Sequence, residues 1–458
     1  MVSLGGKLSS IESIMAELAE RRASCRRMIN ELSSPTAKIP TEILIEIFQI
    51  ACQPVDNGHR TRKTVTPLFI GSICRQWRDV AWSTPLLWNT IFLHVSRKNH
   101  DSQVQLLRVR LLNVPLSIKL TAEVEHESVL CAFEAIMQIL VTRSDYWLNF
   151  DSPVASQSHN TFENINFPML TSVSLHILKS ITKTSHTHPV NNMFPTAPKL
   201  VDVNLIRYEA PVMFSWEQVR CFSLGVSTVA ECLEVLRQSP SLEKCHFKCV
   251  YSPNSFISKT IVPHAQLRHL RVDSWSLSLF DSITLPSLSS LNIQCGNFKR
   301  LPLSSITSLI LRSDCKLERL SINFPFDDVD LIPCLEAVPS LTYFKLHLET
   351  IGLYIGLTRY FLAPLDPLSN PSRLLLPNLK YFEFKGRVLC DCRTIVDMLS
   401  HRWHLSDDGS SPSSRVSKLK EAKILSTAPY HVPSDVQEEI RKLSEEGMLV
   451  KIESLVRN

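Results

Sequence analysis

Pro339-Ser340-Leu341-Thr342-Tyr343-Phe344-Lys345-Leu346 is the stretch whose reading decides the fold. After the proline it becomes Leu341-x-x-Phe344-x-Leu346, a short apolar strand whose inward residues alternate with polar ones. The same figure recurs along the chain as Leu170-x-x-Val173-x-Leu175, Leu200-x-x-Val203-x-Leu205, Val219-x-x-Phe222-x-Leu224 and Leu242-x-x-Cys245-x-Phe247. It continues as Leu267-x-x-Leu270-x-Val272, Leu288-x-x-Leu291-x-Ile293, Leu317-x-x-Leu320-x-Ile322 and Leu379-x-x-Phe382-x-Phe384, with a degenerate Leu419-x-x-Ala422-x-Ile424. Proline stands two residues before the first leucine in six copies, at Pro168, Pro198, Pro240, Pro286, Pro339 and Pro377.

The intervals between copies are irregular, and several hold a helix. Residues 228–238 place Val229, Cys232, Leu233 and Leu236 on one face; 303–312 and 393–402 read as helices too. One strand with its helix cannot bury an apolar face alone. Units stacked side by side make a continuous core and a curved parallel sheet. These copies resemble a leucine-rich repeat array of the long, irregular kind, which would occupy residues 94–458. A compact α/β domain is the rival architecture.

Working back from the repeats, 89–95, 115–120 and 146–150 read as strands, and 104–112 and 129–142 as helices. Forward of them, Ser434 is placed to cap a helix over 435–446 with Gln437 three residues on, a capping-box arrangement. Residues 449–452 then form a last edge strand, and 428–458 close the array. The stretches 353–371 and 406–417 stand outside the sheet, the second by its Ser, Gly and Pro content.

Ahead of the array, residues 36–93 form a separate helical unit. Pro40 suits a first helical turn, and Glu42 complements the helix dipole there. Ile43, Leu44, Ile47 and Phe48 recur at helical spacing, and Ile70, Ile73, Cys74 and Trp77 make the apolar face of a second helix. About fifty residues bury little core, so such a unit leans on a neighbour or a partner. The opening Ile39-Pro40-x-Glu42-Ile43-Leu44-x-x-Ile47-Phe48, the Cys74-Arg75-x-Trp77-Arg78 helix and the Ser83-Thr84-Pro85-x-Leu87-Trp88 close together resemble an F-box, in particular the F-box-like family of mushroom-forming fungi. Ile39 replaces the usual leucine, and 53–66 is a longer interruption than the shortest members have. The resemblance implies docking on a Skp-type adaptor of a cullin–RING ubiquitin ligase through Ile39, Pro40, Glu42, Ile43, Leu44, Ile47, Phe48, Cys74, Arg75 and Trp77.

Residues 1–35 carry an amphipathic helix over 8–32, with Ile11, Leu18, Cys25 and Leu32 repeating every seven residues and Ile14 and Met28 between them. Arg21 interrupts the seam. Two readings stand: a short coiled coil that dimerises the chain, or a helix that packs back on the unit after it.

Composition excludes several classes. Of 458 residues, 44% are hydrophobic and 20% charged, as in folded soluble proteins. The net charge of +5 is spread along the chain without a basic block interleaved with aromatics, so nucleic acid is not an expected partner. No apolar run spans a bilayer and no secretion signal opens the chain, so membrane and export are not expected. Thirteen irregularly spaced cysteines fit reduced thiols of the cytosol or nucleus. Only 11 glycines argue against a nucleotide-binding loop architecture.

No catalytic constellation is found, and no metal or cofactor is expected. Cys245, His246 and Cys249, and Cys390-Asp391-Cys392, lack the paired four-ligand spacing of zinc sites. Cys245 and Cys249 on an alternating strand would share the core side. His401 and His404 lack the helical i, i+4 pairing of zinc hydrolases. Gly-x-Ser-x-Gly and phosphate-loop motifs are absent.

The expected fold class is therefore α/β: a short N-terminal helical F-box unit, then a leucine-rich-repeat-like solenoid with a curved parallel sheet. The expected function is a non-catalytic substrate-recognition subunit of an SCF-type ligase. The target protein would meet the outward strand positions Ser172, Asp202, Asn204, His269, Arg271, Asn292, Lys345 and Glu383. The alternative is a repeat scaffold for protein interactions without a ligase role.

Overall fold

A computed structural model of the chain describes residues 2–33, 35–52, 66–95, 113–122, 127–155, 162, 165–178, 194, 196–207, 215–251, 260–296, 300–326, 328–348, 356–369, 373–404 and 416–455. The helix expected over 104–112 and nearly all of 53–66 and 406–417 lie outside these residues, as do the ends of 353–371. The chain divides into two compact units, Met1–Phe92 with Gln105–Ser117, and Leu93–Val104 with Ile118–Asn458.

In the first unit, α1 (Val2–Ser33) is one long helix. Its seam residues Ile11, Ile14, Leu18, Cys25 and Met28 are all exposed, so among the described residues the seam does not pack back on the helices after it; Leu32, the last of the seam, lies outside those whose side chains are described. Arg21, the residue that interrupts the seam, pairs with Glu17 at 2.7 Å. After a 3-10 turn (Pro35–Lys38) come α2 (Thr41–Cys52), α3 (Pro67–Ile73), α4 (Arg75–Ser83) and a closing turn (Pro85–Trp88). The expected second helix is broken in two. Cys74 is extended (φ −152°, ψ 172°), and its Sγ accepts from the Trp77 N–H at 3.4 Å, starting α4 as an N-cap. Thr66 caps α3 likewise, with Pro67 at the first helical position. Ile73, expected on the apolar face of that helix, is exposed. The small core is Leu44, Phe48, Ile70, Val80, Ala81, Leu87 and Trp88.

The second unit is built on one sheet, though the opening residues of its first two strands, 90–92 and 116–117, fall in the first unit. Its strands are β1 (Thr90–Val95), β2 (Leu116–Ala122), β3 (Trp147–Ala155), β4 (Ser172–Leu178), β5 (Asp202–Arg207), β6 (Cys221–Thr228) and β7 (Lys244–Tyr251). They continue as β8 (His269–Ser274), β9 (Ser290–Cys295), β10 (Arg319–Asn323), β11 (Tyr343–His347), β12 (Tyr381–Val388), β13 (Glu421–Ser426) and β14 (Leu449–Ser454). Spatial order follows chain order throughout, and from β3 to β14 every neighbouring pair runs parallel. The short segment Gly356–Leu357 adds to the end of β12. Every repeat copy read from the sequence, the degenerate one included, contributes a strand.

Local chemistry explains the repetition. Each recurring proline occupies the second position of a turn closed by a backbone bond, as in Leu341 N–H to Val338 C=O (3.1 Å) and Leu288 N–H to Leu285 C=O (3.1 Å). Proline's fixed φ suits that position. One carbonyl of the preceding repeat then takes two N–H donors at the entries of β5 to β13: Glu318 from Thr342 and Tyr343, Thr342 from Lys380 and Tyr381. The first leucines, Leu170 through Leu419, are buried, and the alternating pair behind them stacks in register, Leu291 on Leu320 and Ile293 on Ile322.

Helices connect several strands: α5 (Glu127–Val141), α6 (Val229–Gln238), α7 (Ser304–Ser313), α8 (Asp328–Glu336), α9 (Arg359–Leu362), α10 (Cys392–His404) and α11 (Ser434–Glu445). Thr228 and Glu231 close a full capping box on α6. The capping box expected at α11 does not form. Ser434 is the first helical residue, Pro433 precedes it without a side-chain bond, and Gln437 Nε2 donates instead to the Val432 carbonyl at 2.9 Å. Helix α8 escapes a sequence reading because Pro333 lies inside it. Among the described residues, no helix is long and apolar enough to cross a membrane.

Candidate functional site

The helical unit exposes an apolar surface. Along α2, odd and even neighbours part company: Leu44 and Phe48 are core, while Ile43 and Ile47 are 46% and 44% exposed, with Ile50 one turn on. Leu68, Phe69 and Ile73 of α3 are exposed as well. Of the ten residues expected to contact a partner, Pro40, Glu42, Ile43, Ile47 and Arg75 are exposed, and Ile39, Cys74 and Trp77 are half-buried. Leu44 and Phe48 are not contact residues, since the fold buries both, Phe48 against the Trp77 ring at 4.9 Å. Ile50, Leu68, Phe69 and Ile73 are exposed too and were not among the ten. A helical pattern gives one apolar stripe, whereas here a wider arc is divided between core and surface. Trp88 Nε1 donates to the Ala81 carbonyl at 2.9 Å, but Trp77 Nε1 is buried without an acceptor among the described residues.

The second candidate surface is the polar face of the sheet. Parallel register assembles its outward residues into rows. One row runs Ser172, Asp202, Cys221, Lys244, His269, Ser290, Arg319, Tyr343, Tyr381. The next runs Ser174, Asn204, Ser223, His246, Arg271, Asn292, Ser321, Lys345, Glu383. All eight residues expected on a target-facing surface fall in these two rows: Ser172, Asp202 and His269 in the first, Asn204, Arg271, Asn292, Lys345 and Glu383 in the second.

Their surroundings differ. Glu383 is not solvent-facing: it is only 5% exposed, because three donors converge on it. Lys345 Nζ lies 3.0 Å and His347 Nε2 2.7 Å from Oε1, while the Tyr381 hydroxyl donates to Oε2. Burial alone would raise its pKa; the donors outweigh burial and bring it down to about 2. Burial holds His347 below its ordinary value, and its Nε2 lies within hydrogen-bond reach of the Glu383 carboxylate. Tyr343 and Tyr381 stack flat at 4.2 Å beside this cluster, and Arg319 sits 5.6 Å above the Tyr343 ring centroid. Further along, His246 Nε2 and Arg271 Nε both reach Asp273, at 2.9 and 3.2 Å. Asn204 Nδ2 donates to Ser174 Oγ at 3.0 Å, and burial raises the pKa of Asp202.

The cysteines do not gather. Cys245 is buried, and burial lifts its thiol well above the ordinary range, but Cys249 is exposed with φ 50°. The ladder shifts between Phe247 and Val250, a bulge that turns Cys249 out of the alternation expected for it. Among the described residues, no group of three or more His, Cys, Asp and Glu is placed to hold a metal ion. No family model fits the chain, and no curated protein is significantly similar to it.

Proposed function

We propose that the chain is the substrate-recognition subunit of an SCF-type cullin–RING ubiquitin ligase. The helical unit acts as an F-box-like domain that docks on a Skp-type adaptor. The repeat unit is a leucine-rich-repeat-like solenoid whose polar sheet face holds a target protein. The observation that carries the reading is the exposed apolar arc of Ile43, Ile47, Ile50, Leu68, Phe69 and Ile73 on a unit whose core is already closed by Leu44, Phe48 and Ile70. Such an arc suits a partner helix or groove, with Glu42 and Arg75 as its charged rim. The chain contributes proximity: it raises the effective concentration of target lysines near the charged enzyme, and bond-making belongs to its partners.

The test is a pull-down of the purified chain against a recombinant Skp-type adaptor, with Ile43→Asp and Ile47→Asp alongside. Both positions are exposed, so both variants keep the wild-type circular dichroism and melting temperature. Adaptor binding that each variant loses supports the proposal. A folded wild-type chain that binds no adaptor overturns it and leaves a repeat scaffold without a ligase role.

A further inference from the structure

The sheet ends at β14 with its core rows unfinished. In parallel register, Leu320, Phe344, Phe382 and Ala422 lead to Val450, and Ile322, Leu346, Phe384 and Ile424 lead to Ile452. Every earlier member is buried, yet Val450 and Ile452 are only half-buried. The opposite face carries Leu449, Lys451, Glu453 and, just past the strand, Leu455; the two leucines are 66% and 48% exposed. Only one edge of the backbone is used. Leu449 N–H donates to the Lys420 carbonyl and Leu455 N–H to the Ser426 carbonyl, both on the β13 side. Alternation along the strand then turns the N–H and C=O of Val450, Ile452 and Ser454 to the far edge. Among the described residues, no strand pairs with that edge. Such an edge is a template for another strand.

We infer that the occupant of this edge is β14 of a second copy of the chain, antiparallel about a two-fold axis at Ile452. The strand's own sequence argues for this partner. Leu449-x-Lys451-x-Glu453-x-Leu455, turned end for end, meets itself with Leu449 facing Leu455 and Lys451 facing Glu453. Each exposed leucine gains an apolar neighbour and each charge an opposite one. Within one copy Lys451 and Glu453 already pair at 3.1 Å, and the second copy completes an alternating square of four charges. Backbone parity agrees. In the same register Ile452 faces Ile452 and Val450 faces Ser454, so the outward-turned groups fall where an antiparallel ladder has its hydrogen-bonded pairs. Sliding the register by two residues sets Lys451 against Lys451, or Glu453 against Glu453, so charge selects the register as well. Val450 and Ile452 become interior positions of a sheet that runs through both copies. The same edge meets itself, so association closes at a dimer and does not run on as a filament. The inference is independent of adaptor docking and of the target-binding face.

Sedimentation velocity of the full chain in reducing buffer, from low to high micromolar concentration, tests the pairing. The wild type should be a dimer at the high end. Lys451→Glu and Glu453→Lys each set like charges face to face twice across the two-fold axis, and each should weaken the dimer at least tenfold. Both side chains are exposed, so both variants should keep the circular dichroism of the wild type. Mixed in equal amounts, the two variants should associate with each other, because the acidic positions of one then face the basic positions of the other. The double reversal, Lys451→Glu with Glu453→Lys, should dimerise by itself again. Leu449→Cys with Leu455→Cys should give a covalent dimer on mild oxidation, beyond the level of either single variant, since these facing positions form a non-hydrogen-bonded pair within disulfide reach. Three results would each overturn the proposal: a wild type that stays monomeric at every concentration; a dimer that both single reversals leave intact, which would put the contact elsewhere, on α1 for example; or two folded single variants that do not associate when mixed.

Discussion

Glu383 on β12 lies directly beside Lys345 on β11 in the parallel ladder, and its Oε1 is 3.0 Å from the Lys345 ammonium. Two residues 38 positions apart thus share one ion pair whose carboxylate is buried and whose ammonium is half-buried, completed by His347 and Tyr381. A buried carboxylate with three donors is a feature of stability, and its pH dependence has a definite sign.

With its folded pKa near 2, against an ordinary value of 4.5, Glu383 binds fewer protons folded than unfolded across that interval. Its stabilisation is therefore present above pH 4.5 and lost as the pH falls toward 2, about 3 kcal/mol by linkage. The lowered pKa of His347 acts in the same direction below its ordinary 6.5. We expect the melting temperature of the wild type to fall steeply below pH 4.5, and that of Glu383→Gln to fall less there. Parallel melting curves for the two proteins at pH 3, 4.5 and 6 would show instead that the carboxylate is not held low.

Arg402 on α10 is fully buried, and its guanidinium donates to three backbone carbonyls: Leu365 and Leu375 at 2.6 Å and Leu376 at 3.0 Å. Burial lowers its pKa to about 10, which leaves it charged near neutrality. Arg402→Met takes the guanidinium from the Leu365 and Leu375 carbonyls, while Leu376 keeps the Leu379 N–H, and should cost about 3–5 kcal/mol. Arg402→Lys keeps the charge without the planar fork and should fall between. Urea denaturation measures both, and limited proteolysis should open the segment 363–376 first in the Met variant.

The two tryptophans of the helical core make a matched pair. Trp88→Phe removes the indole donor to the Ala81 carbonyl and should cost roughly 2 kcal/mol in urea denaturation. Trp77→Phe removes a donor with no acceptor among the described residues and should cost under about 1 kcal/mol, the loss being packing against Phe48. Equal costs would mean that Trp77 Nε1 has a partner.

Much of the architecture was legible in the sequence because its causes are local. A strand alternates with period two, a proline sets the φ of the turn before it, and a leucine follows that turn. These rules located the strands of the sheet and put Ser172, Asp202, Asn204, His269, Arg271, Asn292, Lys345 and Glu383 on one face before any neighbour was known. What each of them meets was not legible. Partners in a parallel ladder come from adjoining repeats, so only the register decided that Glu383 is enclosed by Lys345, His347 and Tyr381, and that Lys244 shares a row with Arg319. The same holds for α2, where four apolar residues at helical spacing read alike. The packing of Ile70, Val80 and Trp88 chose Leu44 and Phe48 for the core and left Ile43 and Ile47 outside. Hydrophobicity marks which side chains leave water if a surface is offered, and only the tertiary structure supplies the surface.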